Sequence, residues 1–253
     1  MSHITVQSIL LLLENINNME HTDKIWWEKG LKKAMGHWRS WLTRQDVKDM
    51  LMEDGIELDK PFKLRSYFLP LIGDKKEVNI ADIGAGAINL LGNTLLDVKI
   101  NLFPSDIMAD EFNILLKEIN ITPVIPVLKQ DMENLTYEDN FFDIVHCSNA
   151  LDHCVNPLKV IDEMIRVCKP GGYVYLRHAR NEGRREKYLN LHHWNLQEYP
   201  NGDCILWQKD RTNDILLQSI YPKLHTEYKK DWEGWDCKNI TRLISIYKKP
   251  INN

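Results

Sequence analysis

The sequence predicts an α/β protein built on a doubly wound, mostly parallel sheet. Three observations predict it. An apolar run with an acid near its end, VNIADIGAG at 78–86, breaks directly into Gly-x-Gly. Short apolar runs then recur at 99–104, 123–128, 142–147 and 172–178, alternating with stretches of helical pattern. The first of these, at 99–104, is followed by an acid, Asp106, twenty residues after Gly86. Strands alternating with helices imply a parallel sheet covered on both faces. Such sheets bind ligands at the carboxyl ends of their strands.

Taken in order, residues 1–60 read as an N-terminal helical cap. Ile9, Leu13 and Ile16 fall at helical spacing, as do Trp27, Leu31, Met35 and Trp38. Two or three helices are expected, with Gly30 and Gly36 weakening the second. Trp26, Trp27, Trp38 and Trp41 are half of the 8 tryptophans. They are expected to pack the cap on the core, with walling a substrate pocket as their alternative role.

Residues 61–253 read as the main domain. Pro61–Leu69 is predicted helical, with Pro61 at its start and Pro70 and Gly73 closing it. The first strand, 77–83, ends at Gly84 and Gly86, which leave no side chain where the backbone turns sharply. The N–H groups of a helix starting there would face a ligand's polar end. Asn89 stands where a dinucleotide fingerprint has its third glycine, which argues against a nicotinamide cofactor. At the tip of the second strand, Asp106 suits the two hydroxyls of a ribose; a helix N-cap is its structural alternative. Gln130-Asp131-Met132 follows the third strand, and Ser148-Asn149-Ala150-Leu151-Asp152-His153 follows the fourth. A helix from Pro157 to Cys168 leads through Lys169-Pro170-Gly171-Gly172 into the fifth. Residues 181–221 read as an insertion holding His192-His193-Trp194, the apolar CILW at 204–207 and a helix, TNDILLQSI. A closing strand at 240–249 has 225–232 as its hairpin partner.

Composition sets bounds. At 253 residues and 43% hydrophobic, the chain can bury one substantial core plus a cap. A net charge of −4 gives no electrostatic reason to expect nucleic acid, and the basic pairs Arg184-Arg185 and Lys229-Lys230 are short. Cysteines at 147, 154, 168, 204 and 237 include no C-x-x-C pair, which fits reduced thiols in a cytoplasmic protein. The apolar patch at 9–13 lacks a basic flank and a cleavage site, so no signal peptide is expected. No run approaches the ~20 apolar residues of a membrane span.

The elements DIGAG, the acid after the second strand, QDMENL, FFDIVHCSNALDH and KPGGYVYL occur in one order over roughly residues 62–180. Together they resemble the class I S-adenosylmethionine-dependent methyltransferases, in their small-molecule, type 11-like branch. The resemblance implies a seven-stranded Rossmann-like sheet closed by an antiparallel hairpin, with S-adenosylmethionine as cofactor. Asp82 would orient the glycine turn and the cofactor's ammonium end. Gly84, Ala85 and Gly86 would line its methionine half. Asp106, with Ile107 beside it, would take the ribose hydroxyls. Asp131 would accept the adenine amine, with Met132 on the ring, while Ser148 and Asn149 would pass the sulfonium centre. Phe142 and Asp143 are expected to determine the fold rather than bind ligand.

On the acceptor side, His153 is the first candidate for proton removal, with Asp152 beside it and His178 as the second candidate. His153 has a structural alternative. His192, His193 and Trp194 would fold over the pocket and contact substrate. His192 and His193 point apart as neighbours, so they make no joint metal site. One of them could still join Asp152, His153 or His178 around a divalent ion, but catalysis without a metal is expected. The HHWN stretch is similar to methyltransferases of bacterial surface-sugar and secondary-metabolite pathways. The expected reaction is O-methylation of a small polar acceptor, a sugar or nucleotide-linked sugar. The alternatives are N-methylation of a small amine, where aromatics favour the cation, and a catalytically silent cofactor binder. A small-molecule acceptor and a second copy of the chain are the expected partners, with neither membrane nor nucleic acid; no Asn-Pro-Pro-aromatic signature follows the fourth strand.

Overall fold

A computed structural model describes residues 22–251 except 200, 212–213, 223 and 230–241. The helical spacing of Ile9, Leu13 and Ile16 lies outside the described residues, as do Cys237 and the side chains of Trp26 and Trp27. The cap begins with α1, Thr22–Thr43, and α2, Gln45–Glu53. Gly30 and Gly36 sit inside α1 without breaking it. Gly30 has a packing reason: a Cβ there would lie 2.3 Å from a Leu191 methyl, so the helix can approach the insertion only without one. Trp38 meets Trp41 and Phe112 edge-on, at centroid distances of 5.5 and 6.0 Å. Trp38 and Trp41 thus join the cap to the domain.

The strands are β1 (Glu77–Ile83), β2 (Lys99–Asp106), β3 (Leu128–Lys129), β4 (Phe142–Ser148), β5 (Cys168–Ala179), β6 (Asn195–Glu198), β7 (Cys204–Trp207), β8 (Ile215–Leu216), β9 (Leu224–Lys229) and β10 (Arg242–Lys248). Seven of them form one sheet in the order β3-β2-β1-β4-β5-β10-β9. The first five run parallel, and β10 is antiparallel to both its neighbours. The order reverses between β1 and β4, which is the switch point where such sheets hold ligands. Two longer helices flank the sheet, α3 (Ala109–Glu118) and α4 (Pro157–Val167).

Alternation along the strands sorts the core into two faces. Ile80 and Ile144 pack with Leu64, Phe68 and Leu102, while their neighbours Ala81 and Val145 pack with Ile161, Met164 and Trp194. Phe142 is fully buried. Asp143 accepts from the Asn79 amide at 3.0 Å and from Lys75 and Lys169 at 2.6 and 2.8 Å, tying β1 and β5 to the base of β4. Both residues determine the fold, as expected.

Several expectations are corrected. No helix follows the glycine turn; residues 84–98 are turns and isolated bridges, held in part by Asn89 Oδ1 accepting from the Leu91 amide at 2.8 Å. The third strand is two residues long, because Pro123 and Pro126 lack the N–H groups a ladder needs. Residues 61–65 are not helical; a short turn, Ser66–Phe68, runs into a one-turn helix, Leu69–Ile72, with Pro70 inside its first turn, where a missing N–H is harmless. The stretch read as helix TNDILLQSI contains β8 and then a single helical turn, Leu217–Ile220. The insertion is a three-stranded antiparallel sheet, β6-β7-β8.

Candidate active site

The turn after β1 takes backbone conformations that favour glycine. Gly84 and Gly86 have φ of 70° and 72°. A Cβ on Gly84 would lie 2.4 Å from Ala150 Cβ and 3.1 Å from Met132 Cε. One on Gly86 would lie 2.1 Å from the Trp38 ring. The loops after β3 and β4 and the cap helix therefore converge on this turn.

Asp106 closes it. Its Oδ2 accepts from the Gly86 amide at 3.0 Å and its Oδ1 from the Met108 amide at 2.9 Å. Burial pushes the Asp106 pKa upward against those two bonds. The N-cap expectation for Asp106 holds in a looser form, since Asp106 bonds Met108, the cap residue of α3, rather than the helix itself. Asp82 accepts from His146 Nδ1 at 2.7 Å, and both are buried. His146 is absent from the sequence-based site; its cue is position alone, directly opposite Asp82 in the β1–β4 ladder. Asp131 is exposed, its Oδ1 taking the Glu133 amide at 2.8 Å. Ile107 is 38% exposed and contributes no polar side-chain contact. Ser148 Oγ accepts from Arg177 at 3.3 Å. Asn149, at φ 51°, holds the β5 end through Oδ1, which takes the Ala179 amide at 3.0 Å.

Beyond β4, Asp152, His153 and His192 meet. Asp152 is 1% exposed, and its Oδ2 lies 2.7 Å from His192 Nδ1 and 3.5 Å from His153 Nε2. The two imidazole nitrogens are 3.2 Å apart. The amides of His193 and Trp194 donate to the Asp152 carbonyl at 3.0 and 3.3 Å, which stitches the insertion to this turn. Burial works to raise the Asp152 pKa, but the two histidines outweigh it and hold the carboxyl below its usual range. Burial lowers the His153 pKa against the pull of Asp152. For His192, burial also opposes charge, but the Asp152 hydrogen bond and its charge win, and the net shift is upward.

Three expected site residues are placed elsewhere. Trp194 is 2% exposed and donates from Nε1 to the Cys154 carbonyl at 3.1 Å, so it is a core residue rather than a pocket wall. His178 is 1% exposed, and burial pushes its pKa down to about 3. It is enclosed behind the rim rather than presented on it. His193 is half-buried and lies outside the Asp152 cluster.

Fold and site together define an α/β protein with a doubly wound, mostly parallel sheet and a glycine turn at its switch point. Residues 81–176 match the family described as "Methyltransferase domain". The ubiquinone/menaquinone biosynthesis C-methyltransferase UbiE of Coxiella burnetii is 33% identical over 107 residues, covering 42% of this chain and 34% of that protein. Sterol 4-C-methyltransferase strm-1 of Caenorhabditis elegans is 26% identical over 154 residues, covering 55% and 44%. A solved S-adenosylmethionine-dependent methyltransferase from Methanosarcina mazei aligns at a TM-score of 0.48 and 18% identity, over 76% of this chain and all of that one. The chain thus spans about a third to under a half of the length of these two curated relatives. Residues 81–176 thus carry a segment similar to the methyltransferase domain.

The site residues fit the family's cofactor. The side-chain-free turn at Gly84 and Gly86 accepts close approach, as the Trp38 ring already shows. The half-buried Asp106 carboxylate spends one bond per oxygen on backbone amides, leaving acceptor capacity for a ribose diol.

Proposed function

We propose that the chain transfers the methyl group of S-adenosylmethionine to a hydroxyl of a small polar acceptor, a sugar or nucleotide-linked sugar. The observation that carries this reading is the cluster of one buried carboxylate and two imidazoles beside the glycine turn. Ala150, two residues before Asp152, is in contact with Gly84, so the cluster borders the pocket's methionine end. When bound, the cofactor supplies a methyl on a sulfonium, which an oxygen attacks in line as the carbon–sulfur bond breaks. The chain's own task is to align that oxygen and remove its proton.

In this reading Asp106 holds the ribose, Asp131 the adenine amine, and Met132 packs on the ring. Asp82, fixed by His146, orients the glycine turn. His153, 29% exposed at its side chain and so the most accessible of the three, faces the acceptor. Asp152 and His192 hold it in place. The reading favours a hydroxyl over an amine, because an amine enters neutral and has no need of such a cluster. Two relatives are named C-methyltransferases, and transfer to carbon is therefore the second reading; it also requires proton removal.

The test is release of S-adenosylhomocysteine in the presence of nucleotide sugars, phenols and small amines, with mass analysis of each product. A product methylated on oxygen supports the first reading. Methylation on carbon or nitrogen alone replaces it.

A further inference from the structure

We infer that Asp152, His153 and His192 form a binding site for one divalent first-row transition ion. Among the described residues they are the one group of three such side chains whose ligand atoms converge, all within 4.8 Å. The three separations, 2.7, 3.2 and 3.5 Å, draw a nearly equilateral triangle of donor atoms. An ion ~2.1 Å from nitrogen and oxygen ligands separates adjacent donors by about 3.0 Å at right angles and about 3.4 Å at tetrahedral angles. The observed triangle brackets both values. Two imidazoles and a carboxylate are a donor set that suits iron, zinc, cobalt and manganese.

Proton counting points the same way. His192 Nδ1 carries either one proton or one lone pair. Yet Asp152 Oδ2 and His153 Nε2 both face it within hydrogen-bond distance. A single proton serves one of these contacts and leaves the other without a donor. A cation takes a lone pair from all three. The surroundings add negative charge: Asp152 Oδ1 is buried without a partner, and so is Oε2 of Glu182, whose carboxylate bears on both histidines. The arrangement is also built from distant parts of the chain. Asp152 and His153 come from the turn after β4, and His192 arrives on the insertion, held there by the amides of His193 and Trp194 on the Asp152 carbonyl.

This goes beyond the methyl-transfer reading. Cation binding itself does not depend on that reading, although an acceptor hydroxyl bound to the ion would have its pKa lowered and would release its proton to solvent more readily. The test is titration of Co²⁺ into the full chain after chelator treatment and dialysis, followed by visible absorption. One equivalent should bind with a saturating d–d spectrum, and Zn²⁺ should displace it. Asp152→Asn and His153→Ala should each weaken binding by more than the ~10–100-fold lost with an outer-shell partner. His225→Ala, which removes an exposed histidine on β9, should leave it unchanged. The half-exposed His153 guards against a folding artefact, and each variant's melting curve should match the parent's without ion. No saturable spectrum, or equal binding by the Asp152 and His153 variants, overturns the site. S-adenosylhomocysteine binding is measured in the same samples. Its retention without Co²⁺ binding removes the ion and leaves the methyltransferase reading intact, while Co²⁺ binding without it does the reverse.

Discussion

At the residue scale, the site depends on a few buried polar groups whose partners are fixed. Under the proposed function, His153 is the side chain through which the Asp152 cluster reaches an acceptor. His153→Ala should lower kcat by ~10²–10⁴ with S-adenosylhomocysteine affinity nearly unchanged, whether it acts as a base or as a ligand. Equal loss of cofactor affinity would place His153 in the wrong half of the pocket. His178 makes the opposite case. Both its ring nitrogens are buried without partners. Removing a polar group that has no partner, while keeping its volume, is close to neutral. His178→Leu should therefore change unfolding free energy by less than about 1 kcal/mol. A loss of several kcal/mol by urea denaturation would mean that the ring has a partner in solution.

At the scale of elements, the β1, β4 and β5 strands are locked at their starts by Asp143. Burial works to raise its pKa, but the Asn79 amide, Lys169 and Lys75 outweigh it and hold it below the usual carboxylate value. A carboxyl depressed on folding contributes stability above its unfolded pKa, and that contribution is lost as pH falls through the folded one. Asp143→Asn should cost about 1–3 kcal/mol at pH 7. The gap between variant and parent should close as pH falls through the acid range below about 4. A gap that is constant with pH would show that shape, not charge, is responsible. Gly86→Ala tests the junction between cap and domain. It adds a Cβ at φ 72° and 2.1 Å from the Trp38 ring, so it should displace the cap as well as strain the turn. A shifted tryptophan emission spectrum is the expected readout.

The elements also show what was legible in the sequence. Short apolar runs located β1, β2, β4 and β5, with Asp82 and Asp106 near the ends of the first two and Asp152 in the turn past β4. The helix expected after Gly86 does not form, because helical propensity says nothing of the tertiary contacts that close 84–98 as turns. The insertion was misread for a related reason. Its apolar residues, Cys204–Trp207 and Ile215–Leu216, bury one another in a small sheet, and ILLQSI carries no periodicity that separates two short strand residues from a helical turn. His146 and the convergence of His192 on Asp152 depend on cross-strand register and on a contact 40 residues away, neither of which is local in sequence.

At the scale of the whole molecule, three parts meet at one edge of the sheet: the cap through Trp38 on Gly86, the sheet through Asp82 and Asp106, and the insertion through His192 on Asp152. Among the described residues no helix is long and apolar enough to cross a membrane. Under the proposed function, the cofactor would lie on the cap side and the acceptor on the insertion side. The central claim is that the pocket at the switch point holds S-adenosylmethionine with its ribose on Asp106. Calorimetric titration of S-adenosylhomocysteine into the parent chain and into Asp106→Ala tests it most directly. The parent should bind one equivalent, and the variant should bind more weakly by about 2 kcal/mol, the scale of a hydrogen bond to a charged group. No saturable heat with the parent, or equal affinity in the two proteins, would contradict it.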